Sequence, residues 1–302
     1  MRLALLFSGQ GGQGVTHWQQ VSSANGPLRQ AAASFLPGLD AEPPTDPEFL
    51  ARNQIAQPLI FTQQMLLWQR LQCELPRPVC AAGYSLGEVA ACAVAGAFSA
   101  EEGVGLCAER ARLMDAAAPG EFAMLAVLGL ADGDVESLAH ACGLAVAIRN
   151  APRHLVVAGP REGIQKAAER FQAAGASRLV HLAVRTPSHT PLLAAAASEF
   201  KRLLDGLPES RLAFPVFSAI DARAARSSGA ALDALARQIC SPLDWAACLE
   251  AVLEMQPDAV LEIGPGNAMS RLFAELAPAI PARACDDFRS PEGIVAWVRS
   301  CA

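Results

Sequence analysis

The pentapeptide Gly83-Tyr84-Ser85-Leu86-Gly87 limits the possible folds of this chain more than any other feature. An apolar segment typical of a strand precedes it, and an apolar segment typical of a helix follows it. A serine on so tight a turn needs glycines beside it, because larger side chains would clash there. The G-x-S-x-G pattern in this context predicts a nucleophile elbow, in which the helix N-terminus directs free N–H groups at a reacting oxygen. The alternative is a helix cap made by Ser85 with Glu88, but that leaves the glycines unexplained.

Strand-like and helix-like segments alternate along most of the chain. Apolar runs typical of strands occur at residues 3–7, 79–82, 215–219 and 259–263. Ala- and Leu-rich segments typical of helices occur at residues 59–75, 86–95, 101–117 and 192–204. This alternation predicts an α/β domain of the α/β-hydrolase-like kind, built on a parallel sheet.

The middle of the chain has a different order of elements. Strand patterns occupy residues 122–130, 144–148, 155–158 and 178–184, and helix patterns occupy 132–142 and 161–174. The resulting order, β-α-β-β-α-β, is that of a ferredoxin-like unit. We therefore predict a small ferredoxin-like subdomain at 121–185, inserted into a large catalytic α/β domain made of 1–120 and 186–302.

The loop after the first strand contains Gly9, Gly11 and Gly14 in a G-x-G-x-x-G pattern. Such a loop binds dinucleotides when a helix and a second strand follow and an acidic residue comes about 20 residues later. Residues 15–30 predict only a poor helix, no strand follows them, and the first acidic residue is Asp40. A dinucleotide site is therefore disfavoured.

Composition excludes several classes of function. Of 302 residues, 52% are hydrophobic and 18% charged, with a net charge of −6. Lysine occurs only at Lys166 and Lys201, so no nucleic-acid partner is expected. No segment has the pattern of a membrane span or of a signal peptide. Nine scattered cysteines without a C-x-x-C pair, and five isolated histidines, predict a cytoplasmic protein with reduced thiols and no metal site.

A serine nucleophile needs a base, and His189 is the best placed histidine. It follows the predicted insert, where the chain returns to the large domain, so its side chain is free to face a cleft. His140, His154 and His181 lie within the insert. More than 100 residues follow His189, which does not fit the hydrolase order of serine, acid and a late histidine.

Arg110 lies on the apolar helix predicted after the nucleophile helix. A charged side chain on such a face needs an anionic partner, and the planar guanidinium fits a carboxylate well. From helix position alone, the favoured explanation is a pair with Glu109 or Asp115, or a solvated side chain.

These features together resemble the malonyl-CoA:acyl carrier protein transacylases, the acyltransferase family of fatty-acid and polyketide synthesis. Six motifs match in order along essentially the whole chain, namely residues 7–13 (FSGQGGQ), 83–88 (GYSLGE), Arg110 with Met114, 187–189 (PSH), 241–245 (SPLDW) and 262–266 (EIGPG). The fold of that family, a large α/β domain with a ferredoxin-like insert, agrees with the fold predicted above.

The resemblance implies acyl transfer in two half-reactions through an ester on serine. Ser85 would attack the thioester of malonyl-CoA while His189 takes its proton, and the backbone N–H groups of Gln10 and Leu86 would bind the oxyanion. Arg110 would bind the free malonyl carboxylate and so select malonyl over acetyl. The acceptor would be a carrier protein with a phosphopantetheine-type thiol, and no metal or redox cofactor would be needed.

Three residues depart from the family pattern. Ser8 stands at a position that is usually proline, Tyr84 at one that is usually histidine, and Asp244 at one that is usually glutamine. That last position orients the histidine through its main-chain carbonyl in the family, and we hypothesise that the Asp244 carboxylate instead pairs with His189 directly. Ser8 and Tyr84 resemble the transacylase (epsilon) subunit of malonate decarboxylase, whose acceptor is a phosphoribosyl-dephospho-CoA thiol on a small carrier subunit.

The favoured expectation is therefore malonyl transfer to the malonate decarboxylase carrier subunit, with the housekeeping transacylase of fatty-acid synthesis as the alternative. A thioester hydrolase is disfavoured by Arg110 and by the chain order. A non-catalytic carrier-docking module is disfavoured because Ser85, His189 and Arg110 are all present.

Overall fold

Two β-sheets and the helices packed on them organise the chain. The computed structural model describes residues 1–301. The strands are β1 (Leu3–Phe7), β2 (Cys80–Gly83), β3 (Phe122–Leu128), β4 (Ala145–Ala151), β5 (His154–Pro160), β6 (Arg178–His181), β7 (Arg211–Phe217), β8 (Ala224–Ser227), β9 (Leu243–Asp244), β10 (Ala259–Ile263) and β11 (Ala282–Ala284). The helices are α1 (Val15–Ser22), α2 (Pro27–Ala33), α3 (Pro47–Ala51), α4 (Asn53–Leu71), α5 (Gly87–Val94), α6 (Ala100–Ala117), α7 (Asp132–His140), α8 (Arg161–Ala173), α9 (Ala194–Leu204), α10 (Ser228–Arg237), α11 (Trp245–Glu254), α12 (Ala268–Leu276) and α13 (Pro291–Ser300), with 3₁₀ turns at Pro191–Leu193 and Cys285–Asp287.

The larger sheet has the strand order β11-β10-β1-β2-β7-β8, with only β8 antiparallel to its neighbour. Phe7, at the end of the central strand β1, is level with Gly83 of β2 and Ile263 of β10. The loops that follow these three strands therefore meet at one edge of the sheet, which is where open α/β sheets bind their ligands. The predicted α/β fold is confirmed. The short strands β8 and β11 were not predicted.

The smaller sheet has the strand order β6-β3-β5-β4-β9. Its first four strands are antiparallel and follow the predicted β-α-β-β-α-β order, so the ferredoxin-like pattern is confirmed. The fifth strand, β9, comes from outside the insert and pairs in parallel with β4. A two-residue strand carries no periodicity that sequence could show. The insert boundaries at 121 and 185 remain a prediction.

Side chains of β1 alternate between two apolar cores, as the period of a strand requires. Leu3, Leu5 and Phe7 pack in a core formed largely by the helices, including α4, α5 and α6. Ala4 and Leu6 pack in a second core with side chains of β3, β4 and β5. The smaller sheet is thus held against the larger one by apolar contact, which fixes the cleft between them.

Helices α3, α10, α11, α12 and α13 were not predicted, and two other helical segments differ from the prediction. The segment after Gly14 forms α1 and α2, so the prediction of a poor helix there was wrong. Complete burial of Trp18 and Val21 stabilises α1 despite its weak intrinsic propensity. Helix α4 begins at Asn53 and runs through Pro58, six residues before the predicted start at 59. In the described residues 1–301, no helix has both the length and the apolar character needed to cross a membrane.

Candidate active site

Ser85 lies on the turn between β2 and α5 with a φ of +53°, in the left-handed region that side chains rarely adopt. A Cβ at Gly83 would lie 2.1 Å from the nitrogen of Glu88, and one at Gly87 would lie 2.1 Å from the carbonyl oxygen of Phe7. The two glycines therefore permit the close approach of the turn, α5 and β1. Helix α5 has no side-chain cap, so the capping-box interpretation of Ser85 does not hold.

His189 reaches the same point from a loop that precedes α9. Its Nε2 lies 2.8 Å from Ser85 Oγ, and its Nδ1 lies 2.6 Å from the carbonyl oxygen of Gln238. Because that carbonyl can only accept, Nδ1 carries the proton and Nε2 is left to accept from the Ser85 hydroxyl. Burial lowers the pKa of His189 to about 3, and the nearby Arg110 charge acts in the same direction. The imidazole is therefore a neutral base at physiological pH.

Gln238 is a residue that the sequence reasoning missed. Besides the bond from His189 to its carbonyl, its side-chain Nε2 donates to the carbonyl oxygen of Ser85 at 3.0 Å. The next residue, Ile239, accepts the His189 backbone N–H at 3.0 Å. One short segment at the end of α10 thus fixes both His189 and the turn that carries Ser85. Its nearness to the SPLDW motif, three residues later, was the available signal.

Asp244 does not contact His189. Its carboxylate accepts the backbone N–H of Ala247 at 3.0 Å and so caps helix α11, while its own N–H donates to the carbonyl of Ala219 at 2.7 Å. The orienting carbonyl belongs to Gln238 instead. The hypothesis of a direct Asp244–His189 pair was therefore wrong, as was the assignment of the orienting carbonyl to position 244.

We expect Asp244→Ala to keep acyl-transfer activity within about twofold but to lower the free energy of unfolding by about 1 kcal/mol, the usual effect of losing an N-cap. Asp244→Asn is the matched control, because asparagine caps helices as well as aspartate does. Initial rates and urea unfolding of the three proteins test this expectation. A large loss of activity in both variants at unchanged stability would contradict it.

Arg110 is completely buried on α6. Its Nη1 donates to Gln57 Oε1 at 2.8 Å, whereas its Nε and Nη2 have no partner in residues 1–301. The pairs considered from helix position do not form, because Glu109 binds Arg112 and Asp115 accepts from other side chains. Burial lowers the pKa of Arg110 to about 10, which still leaves it charged at neutral pH. A buried cation with two unpartnered nitrogens is suited to bind an anion.

Glu88 is a second buried ionisable group beside Arg110. Burial raises the pKa of its carboxyl to about 8, although the Arg110 charge opposes this shift. The carboxyl is therefore protonated at neutral pH and does not neutralise the guanidinium. The positive charge of Arg110 remains available to a ligand.

The two expected oxyanion donors are Gln10, in the loop after β1, and Leu86, in the turn that carries Ser85. Gln10 belongs to the loop after β1, whose Gly9 packs so closely on the turn that a Cβ there would lie 2.6 Å from the carbonyl of Tyr84. Leu86 is the residue before α5. Within residues 1–301, neither backbone N–H donates to a protein acceptor. Both groups are thus free to bind a substrate oxygen.

Tyr84 connects the turn to the smaller sheet. Its hydroxyl donates to Asn150 Oδ1 of β4 at 2.9 Å, and its ring meets that of Trp245 edge-on at 5.3 Å. This contact needs a side chain with a distant hydroxyl and an aromatic ring, so the unusual tyrosine has a structural role of its own.

A groove of about 870 Å³ lies between α4 and the segment after β6, and of the predicted site residues only Gln10 is in its lining. Gln10 and Asn53 lie along it. Its lining includes the arginines Arg52, Arg161 and Arg185 and the acidic residues Glu48 and Asp115, and Glu48 pairs with Arg185. The groove has the size for an extended ligand and offers it both basic and acidic side chains.

Comparison with known proteins points in one direction. A family model described as the acyl transferase domain matches residues 19–275. The malonyl CoA-acyl carrier protein transacylase of Salmonella typhimurium (strain LT2) is 30% identical over 298 residues, covering 95% of this chain and 96% of that protein. The Escherichia coli (strain K12) protein of the same name is 29% identical over 300 residues, with the same coverage.

Solved structures share the fold. The malonyl-CoA:acyl carrier protein transacylase of Xanthomonas oryzae matches with a TM-score of 0.87 and 29% identity, over 99% of both chains. A structure of a type II polyketide synthase acyl-carrier protein in complex with its malonyl-transacylase matches with a TM-score of 0.88 and 28% identity, over 98% of this chain and 99% of that chain. Both likenesses extend over nearly the whole chain, including the inserted sheet.

Proposed function

Because the chain belongs to the acyl transferase family and is an acyltransferase, we propose that it moves a malonyl group from malonyl-CoA, through an ester on Ser85, to the thiol of an acyl carrier protein. The observation that carries this proposal is the buried Arg110. Its charge is close enough to influence the pKa of His189, and two of its nitrogens, Nε and Nη2, have no partner in residues 1–301. A substrate with a carboxylate beyond its thioester can place the thioester at Ser85 and His189 and the carboxylate at Arg110.

The first half-reaction begins when His189 Nε2 removes the proton from Ser85 Oγ. The oxygen attacks the thioester carbonyl carbon, and the carbonyl oxygen becomes an oxyanion held by the N–H groups of Gln10 and Leu86. The C–S bond then breaks, and the CoA sulfur takes the proton from His189. The Gln238 carbonyl keeps Nδ1 protonated throughout, so that Nε2 alone exchanges the proton.

The second half-reaction reverses these steps with another thiol. The carrier thiol gives its proton to His189 Nε2, its sulfur attacks the ester carbon, and Ser85 leaves with the proton returned to Oγ. The groove lined by arginines suits the phosphate and the extended arm that precede such a thiol. The same groove serves donor and acceptor in turn, as a two-step transfer requires.

Two carrier proteins are candidates for the acceptor. The similar proteins are named as acyl carrier protein transacylases, so the carrier of fatty-acid or polyketide synthesis is favoured over the malonate decarboxylase carrier expected from sequence. The second candidate rests on Ser8 and Tyr84, each of which has specific partners in this fold. The cytoplasm is the proposed compartment, since all nine cysteines are free.

The test is a two-stage labelling experiment with radiolabelled malonyl-CoA. Label that stays on the protein after CoA is removed supports the ester intermediate. Chasing with holo-acyl carrier protein, with the malonate decarboxylase carrier, or with buffer alone then assigns the acceptor. Rapid loss of label into buffer supports a hydrolase, and a protein that never acquires label excludes the proposal.

We expect the rate of Ser85 acylation to change by less than about twofold between pH 7 and pH 5. His189 acts as a base only when neutral, and its pKa is lowered to about 3, so protonation inactivates it only as the pH falls toward that value. Glu88, with its pKa raised to about 8, stays protonated throughout this window. Single-turnover acylation rates measure this, and a half-maximal rate near pH 6.5, the ordinary histidine value, would show that the base is solvated.

A further inference from the structure

The loop after β1, residues 8–14, is anchored at its first residue by three hydrogen bonds. The Ser8 N–H donates to the carbonyl of Ile263 at 3.2 Å, and Ser8 Oγ donates to Glu262 Oε1 at 2.7 Å. The Ser8 carbonyl accepts from Gln64 Nε2 at 2.9 Å. A proline, usual at this position in the family, could make neither of the first two bonds.

Gln64 bonds to both backbone segments that hold the start of this loop. It lies on α4, has no exposed surface, and donates from the same Nε2 to the carbonyls of both Ser8 and Ile263, the latter at 3.1 Å. It therefore links the C-terminal ends of β1 and β10 by hydrogen bonds. Gly264 leaves space for it, since a Cβ there would lie 2.5 Å from Gln64 Nε2.

The partner of the Ser8 hydroxyl is itself held rigidly. Glu262 is fully buried and accepts the backbone N–H groups of Met269 and Ser270 at 3.3 and 2.8 Å. These N–H groups belong to the first turn of α12, which favours a negative charge. Ser8 is thus attached to an immobile group on one side and to Gln64 on the other.

The loop beyond Ser8 has little rigidity of its own. Four of its seven residues are glycine, and Gly11 has a φ of +127°. The far end is held through Gln13, whose Nε2 donates to the carbonyl of Leu50 at 3.2 Å. An oxyanion donor is effective only if it is in place before charge develops. The amide of Gln10, two residues after Ser8, is placed by the Ser8 anchor together with the packing of Gly9 on the carbonyl of Tyr84.

We propose that Gln64 is a positioning residue for acyl transfer, which holds the 8–14 loop so that the Gln10 amide can bind the oxyanion. This inference rests on the proposed function. Gln64 touches no substrate; it acts through Ser8 and Gln10. Its loss therefore slows the chemical step and leaves the binding of malonyl-CoA unchanged.

The test compares Gln64→Met with Gln63→Met. Both remove a buried amide from α4 with little change of volume, but Gln63 points away and donates to Gln20. We expect Gln64→Met to slow single-turnover acylation of Ser85 by about 10- to 100-fold, less than the 10²–10³ that follows removal of an oxyanion donor. Gln63→Met stays within about twofold of the parent. In a Ser85→Ala background, Gln64→Met leaves the Kd for malonyl-CoA within about twofold.

Two results would overturn the inference: equal acylation rates for the two methionine variants, or a loss of acylation rate explained entirely by weaker binding of malonyl-CoA. If Gln64→Met does not fold, Gln64→Asn takes its place, because it keeps a buried amide on α4 but is one methylene too short to reach the carbonyls of Ser8 and Ile263. A threefold or greater loss of the acylation rate with unchanged Kd supports the inference, and a smaller loss overturns it. A parent protein that never becomes labelled would instead refute the proposed function, so the two failures are distinguishable.

Discussion

Replacing Ser85 with alanine is expected to abolish covalent labelling by malonyl-CoA and to lower acyl transfer by about 10⁶-fold, the loss seen when a serine nucleophile is removed. No other hydroxyl contacts His189 Nε2 in residues 1–301, where Ser85 Oγ lies at 2.8 Å. The oxyanion donors and the groove remain in this variant, so a small residual rate and normal binding of malonyl-CoA are expected.

Intact-protein mass spectrometry after exposure to malonyl-CoA measures the label directly. Ser198→Ala is a suitable control, because Ser198 lies on α9 and its hydroxyl bonds only to the carbonyl of Ala194. The control should acquire one malonyl group, as the parent does. A malonylated Ser85→Ala protein would place the nucleophile elsewhere.

Replacing Arg110 with alanine is expected to reduce malonyl transfer by roughly 30- to 5,000-fold, which corresponds to the 2–5 kcal/mol lost when one partner of a buried charge pair is truncated. The acetyl group has no carboxylate, so the rate of acetyl transfer should change far less. The ratio of acetyl to malonyl transfer therefore rises steeply. The cause is specific to a group that is buried, still charged, and unpaired at Nε and Nη2.

Arg112→Ala provides the matched control on the same helix. Arg112 is exposed and pairs with Glu109, a surface interaction worth little. Competition between acetyl-CoA and malonyl-CoA in one reaction gives the ratio without correction for protein concentration. An Arg110→Ala protein with the parental ratio would remove Arg110 from carboxylate recognition, whatever its absolute rate.

The sequence was most informative where chemistry and turn geometry coincide. Ser85 could be predicted because glycine is required on both sides of it, at Gly83 and Gly87, where the turn packs closely on α5 and β1. His189 was favoured by its place just after the predicted insert, whereas the role of Arg110 came from the resemblance to a known family, since helix position alone favoured a pair with Glu109 or Asp115. The signal at Ser85 is local, so it survives without knowledge of the tertiary fold.

The contacts that sequence could not show join segments distant along the chain. Gln238 meets Ser85 across 153 positions, and Gln64 meets Ile263 across 199. A polar residue on a helix has no local property that distinguishes such a role from a solvated one. The wrong prediction for Asp244 has the same origin, because sequence does not show whether its carboxylate lies near the start of a helix or near His189.

The small strand β9 has a consequence for how the molecule unfolds. It belongs to the chain after the insert, yet it completes the insert's sheet and leads directly into α11. Trp245, the first residue of that helix, is buried in the core that both sheets share. We therefore expect that the insert does not open or exchange alone, since its loss would leave β9 unpaired and this core open to water. The two sheets are expected to unfold as one cooperative unit, with Ser85 at their junction.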